Sequence, residues 1–147
     1  MIDLFTSWAI SASGLAAQRI RMNAISANLA NVQTTRTAAG QPYRPLEVVF
    51  AAVPMPTSVQ AAFGSSFEDC LRMVQVAEVV EDPREPRQVF DPGHPDANAR
   101  GYVFVPNINV IEEMVNLLSA NRAYEANVAA INAAKSMARK ALEIGQL

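Results

Sequence analysis

Apolar residues return every seven positions at both ends of the chain and lose that period in between. In residues 4–34, a proline-free stretch, Trp8, Leu15, Met22 and Leu29 stand seven apart. Ile25 and Val32 supply companions three residues later in the last two repeats, where Ser11 and Gln18 stand in the first two. A seven-residue apolar repeat is the seam of a helix that packs lengthwise on another helix. The segment therefore predicts a long helix whose seam strengthens toward its C-terminal half. Asn31, Thr34, Thr35 and Thr37 then bring turn chemistry, and Gly40 with Pro42 closes off the helix.

Residues 110–144 repeat the pattern. Val110, Leu117, Tyr124, Ile131 and Ala138 stand seven apart, Met114, Val128 and Leu142 fill alternate companion positions four residues on, and Asn121 and Lys135 interrupt them. Asn109 can cap the first turn, with Glu112 placed as the carboxylate of a capping box, and Gly145 marks the end. Each helix would be roughly 45 Å long at 1.5 Å per residue. Two such helices at opposite ends of one chain predict an antiparallel, coiled-coil-like pair.

Between them the chain changes character, since all nine prolines lie in residues 41–106. Short runs rich in valine and phenylalanine, at residues 43–53, 71–80, 87–90 and 102–105, read as strands punctuated by proline. Residues 55–66 show no period and read as a loop. The predicted class is α+β: terminal helical segments at residues 1–37 and 107–147 around a small β-rich, proline-rich region at 38–106.

The faces opposite the seams decide what the helices are for. A solvated helix carries Lys, Glu and Arg there, yet Arg19 and Arg21 are the sole charges in residues 4–34. Small residues and asparagines take their place. Asn23, Asn28 and Asn31 in the first helix, with Asn116, Asn121, Asn127 and Asn132 in the second, each weaken the helix locally. Amide bonds to a neighbouring element would compensate, and a buried amide also fixes register. The pattern predicts an assembly interface made of seam residues (Trp8, Leu15, Met22, Ile25, Leu29, Val32, Met114, Leu117, Tyr124, Val128, Ile131, Leu142) and amides (Asn28, Asn31, Asn121, Asn127). A free monomer of this design would fray at its ends.

Composition agrees and narrows the chemistry. The 147 residues are 50% hydrophobic and 18% charged, with a net charge of −2. That is one domain's length, and it offers no basic field to recruit a phosphate backbone. A single cysteine, Cys70, makes no intrachain disulfide. The chain lacks an apolar run long enough to span a membrane. Asp3 stands where a secretory signal needs a cation, so the N-terminal segment is expected to be retained. His94, between Asp91 and Asp96 in the motif DPGHPD, is too thin a ligand set for a metal and reads as a shaped turn. Cys70 has no base beside it in sequence, and Glu112 and Glu113 stand where carboxylates favour a helix dipole. Neither a phosphate loop nor a nucleophile elbow occurs. The expectation is a protein that is not an enzyme and takes no cofactor.

Two long motifs carry a family resemblance. ISANLANVQTTRTAAGQPYR, residues 25–44, resembles the N-terminal signature of the flagellar rod and hook axial proteins, and its TTRT and GQPYR elements are similar to the proximal-rod branch. Residues 91–145, containing EMVNLLSANRAYEANV, are similar to the C-terminal half of the same branch. Together the motifs span both ends and about two thirds of the chain. Residues 51–87 carry little of the pattern, and Arg44 followed by Pro45 departs from its more basic form.

The resemblance implies a subunit of the flagellar basal-body rod that crosses the periplasm. It further implies export through the flagellar type III apparatus, assembly through the terminal helices and transmission of torque. Self-copies, FlgB, FlgF, FlgG and the adapter FliE are the neighbours it implies. Periodicity alone leaves a second reading open, a soluble helical-hairpin adapter or chaperone of a secretion system.

Overall fold

A computed structural model describes residues 4–55 and 71–145. The chain runs α1 (Leu4–Ala30), β1 (Leu46–Pro54), β2 (Arg72–Glu81), β3 (Arg87–Phe90), β4 (Tyr102–Val105) and α2 (Val110–Ile144). It is an α+β arrangement of two long terminal helices with two small antiparallel sheets between them.

α1 stops at Ala30, four residues short of the proline-free stretch. Asn31 accounts for the early stop. Its Nδ2 donates to the Ala27 carbonyl at 2.9 Å and its Oδ1 accepts from Thr34 Oγ1 at 3.1 Å. The Ala27 carbonyl also takes the Asn31 amide at 3.1 Å, and the Asn31 carbonyl takes the Thr34 amide at 3.0 Å, so Asn31 and Thr34 close a turn where the helix ends. α2 opens as the sequence expects, with Asn109 Oδ1 accepting from the Ile111 amide at 3.1 Å. Glu112 is exposed at this end, and the neighbouring Glu113 is the carboxylate that reaches another element.

The helices pack antiparallel. Glu113, in the first turn of α2, meets Asn28 near the end of α1, and Asn127 in mid-α2 lies against Gly14. A Cβ added at Gly14 would come within 2.9 Å of the Asn127 Oδ1, so glycine permits the approach there. The buried apolar residues of the pair are mostly small: Ala17, Ala24, Ala120 and Ala134, with Ile25 beside them.

β1 and β2 form a hairpin laid on α1. Its register runs from Leu46↔Glu81 to Pro54↔Arg72, with an irregularity between Val49 and Phe50 that leaves Ala77 unpaired. Such a bulge bends and twists the strands. The hairpin follows the helix, because Leu46 bonds to Asn28 at one end and the Val74 amide donates to Ser13 Oγ at 3.2 Å nearer the other. β1 begins at Leu46, three residues later than its sequence pattern, and Tyr43 lies in the connector before Pro45. Met55 closes the described part of this hairpin and is buried. The rest of the segment read as a loop, 56–66, lies outside the described residues.

β3 and β4 occupy the predicted residues and pair from Arg87↔Val105 to Phe90↔Tyr102. Val103 is buried, while Phe90 and Tyr102 stack edge to face on the exposed side with ring centroids 5.3 Å apart. Gly101 turns at a φ of +79°, and any side chain there would strike the Phe90 ring.

Candidate assembly interface

Three polar junctions hold the helices and sheets in place, and the first two draw on motifs singled out in the sequence. The first is Asn28, which is 2% exposed and the largest fully buried side chain among the described residues. Its Oδ1 accepts from the Leu46 amide at 2.8 Å and from the Tyr43 hydroxyl at 3.0 Å. Its Nδ2 donates to the Leu46 carbonyl at 3.0 Å and to Glu113 Oε2 at 3.4 Å. Burial, with the nearby charges of Glu113 and Glu81, pushes the Tyr43 phenol above its ordinary pKa.

The second junction joins the two family motifs. Thr35 Oγ1, in TTRT, donates to Asp96 Oδ2 at 2.7 Å, and Arg36 pairs with Asp96 Oδ1 at 3.8 Å. His94 shapes the loop that presents this carboxylate, its Nδ1 accepting from the Asp96 amide at 3.1 Å. Asn98 Oδ1 accepts from the Arg100 and Tyr102 amides. The ring nitrogen facing Asp96 is thus engaged by backbone. Among the described residues no group of three or more His, Cys, Asp or Glu could hold a metal ion.

The third junction fastens the β1–β2 hairpin at the same end as Leu46, just beyond its last pair. Asp82 is buried, its amide donates to the Pro45 carbonyl at 2.8 Å, and its carboxylate accepts from Arg84 Nε at 2.7 Å and from the Arg84 amide at 2.9 Å. The Arg84 guanidinium hydrogen bond holds the Asp82 carboxyl below the usual carboxylate range.

The predicted interface residues divide into two groups. Trp8, Leu15, Met22, Leu29, Asn31 and Val32 are half-buried, and Ile25 and Asn28 are buried. In α2, Leu117, Tyr124, Asn127 and Ile131 are half-buried, whereas Met114, Asn121, Val128 and Leu142 are exposed. Met114, Val128 and Leu142 are thus not the companions of the seam between the two helices, a row that Asn121 interrupts, and their expectation as assembly residues is a separate matter. The true companions lie three residues after the repeat, at Ala120, Asn127 and Ala134, rather than four. Small side chains win those positions because the helices approach closely. The displaced residues join Ile111, Val115, Leu118, Met137 and Ile144 in the exposed part of α2, where Ile111 is 75% and Leu118 53% exposed. A further apolar surface stands on the sheets, including Val49, Val79, Phe90 and Phe104.

The amides also divide. Asn28 bonds across elements, Asn127 donates to the Ala123 carbonyl within its own helix, and Asn121 donates to Glu125 on the exposed side. Tyr43, Glu113, Asp96 and the Asp82–Arg84 pair escaped the sequence reading as contact residues. The clue to the first three was their position inside the two motif blocks.

No helix among the described residues is long and apolar enough to cross a membrane. What the geometry does present is a pair of helices with one side packed and an extensive apolar side open. Comparison with known proteins shows the family. Residues 9–36 match the family described as "Flagella basal body rod protein", and residues 99–144 match "Flagellar basal body rod FlgEFG protein C-terminal". The flagellar basal-body rod protein FlgC of Borreliella burgdorferi is 42% identical over 99% of both chains.

This chain belongs to the FlgC family of flagellar basal-body rod proteins. FlgC of Bacillus subtilis is 44% identical over 97% of this chain and 98% of its own, and FlgC of Salmonella typhimurium 43% over 93% and 94%. The FlgC relatives thus extend through the middle region that the two family matches leave out. A FlgC-family member is a structural component of the flagellar basal body and not an enzyme. The exposed side of α2 takes its meaning from that membership, as surface that an assembly can cover.

Proposed function

We propose that this rod subunit polymerises through its terminal helices and transmits torque across the periplasm. Residues 1–37 and 107–147 form the assembly core, as a coiled-coil-like pair, and residues 38–106 form the region outside it. The observation that carries the reading is the exposed part of α2, where Ile111, Met114, Val115, Leu118, Met137 and Leu142 stand more than half exposed. Ile111, Met114, Val115 and Leu118 stand at helical spacing on one face of the first turns, and monomeric proteins rarely expose such an apolar cluster without a partner for it.

Its neighbours are further copies of itself, the rod subunits FlgB, FlgF and FlgG, and the adapter FliE. It reaches them by export through the flagellar type III apparatus. Trp8, Leu15, Met22, Leu29 and Val32 contribute where they remain half exposed, and Met114, Asn121, Val128 and Leu142 contribute directly. Leu142→Asp and Val128→Asp should each leave the free subunit folded and abolish rod assembly, read as loss of basal-body rods and of swimming. Normal rods in cells carrying both changes would refute the assignment.

A further inference from the structure

We infer that Asn28 is a register lock, a positioning residue that fixes α1, the start of β1 and the first turn of α2 at one height. The argument begins with what a primary amide can do. It has two N–H donors and two acceptor lone pairs, and burial makes each unmet one costly. All four are used here, by Leu46 twice, by Tyr43 and by Glu113.

The partners also forbid the flipped orientation. The Leu46 amide can only donate, while the Leu46 carbonyl and an ionised Glu113 can only accept. Turning the amide over would set donor against donor and acceptor against acceptor. Sliding α2 along α1 by one turn would move Glu113 by about 5.4 Å, out of reach of Nδ2. Shifting β1 by one residue would break both bonds to Leu46 and reverse the faces of the hairpin.

Alanine-lined packing cannot supply this information, because Ala17, Ala24, Ala120 and Ala134 are nearly alike at each level of the pair. One satisfied amide can. The lock also fixes where the β region departs from the helix pair, since the connector through Tyr43 is held by the same side chain. The inference concerns the single subunit and does not depend on the rod reading.

The test is a double-mutant cycle on the full chain, read by thermal midpoint. Asn28→Asp keeps the acceptor toward Leu46 N–H and Tyr43 and sets a carboxylate against the Leu46 carbonyl and Glu113. It should lower the midpoint by about 5–10 °C. Glu113→Gln alone should move it by about 2 °C or less. Combined, the Gln amide can donate to the new carboxylate, and at least half of the loss should return. Additive midpoints would overturn the lock.

If Asn28→Asp alone gives no cooperative transition, recovery of one in the double variant supports the lock, and its continued absence overturns it. Amide exchange gives an independent readout. Asn28→Ala should release protection at Leu46 while leaving Ile111, whose amide is held by Asn109, unchanged. Equal loss at both sites would mean general loosening and would also overturn it.

Discussion

α1 has α2 along one flank and the β1–β2 hairpin along another, so every residue of its heptad stripe is at least half-buried. α2 meets chiefly α1, and beyond Leu117, Tyr124, Ile131 and Ala138 its larger apolar residues face outward. The same period thus serves two roles: in α1 it builds the subunit, and in α2 it also supplies surface that the subunit leaves uncovered. A heptad fixes the direction of one row of contacts, while the companion row depends on how near the partner lies. Near partners select alanine and glycine there, which releases Met114, Val128 and Leu142 to another side.

The sharpest break between the two roles comes from charge on the open part of α2. Val115→Asp together with Leu118→Asp should eliminate swimming while changing the free subunit's stability by no more than about 0.5 kcal/mol; motility assays and calorimetry on the same variants test both halves. Next in size is the seam. Ala120 is 0% exposed, and Ala120→Leu should overpack it and cost about 1–3 kcal/mol, measured by denaturant unfolding.

Acid probes the cover over α1. With its carboxyl held low by Arg84, folded Asp82 binds fewer protons than unfolded Asp82 once the pH nears the usual value of about 4. Its contribution is therefore complete above that pH and declines as the pH falls through the folded pKa. Asp82→Asn should flatten the acid side of the stability profile. The smallest effect is expected at Gly14. Gly14→Ala should gain about 0.5–1 kcal/mol of helix propensity in an Asn127→Ala background, and less in the native chain, where Asn127 stands in the way.

Much of the fold was legible in the pattern itself. β3 and β4 are marked by flanking prolines and by short valine- and phenylalanine-bearing runs, and α2 by Asn109 and Gly145. α1 ends before the proline-free stretch does because absence of proline says where a helix can continue, whereas the turn in which Asn31 takes both the Thr34 amide and hydroxyl marks where it stops. The seam of α2 was read with the wrong companions because hydrophobicity favours Met, Val and Leu over Ala at positions three or four residues on. Asn28 was legible as an amide needing partners, but its partners were not. Tyr43, Leu46 and Glu113 come together through three separate elements, which no local spacing reveals.

Asn28 and Glu113 are 85 residues apart in sequence, and Thr35 and Asp96 are 61 apart. α1 cannot close its seam until the last helix of the chain is free to meet it. Contacts of such long range are slow to form, because the loop between them must be closed before they give anything back. Were the chain threaded end-first through a narrow channel, as proposed, its first helix would stay unpaired for the whole passage, and the topology itself would delay folding until the exit.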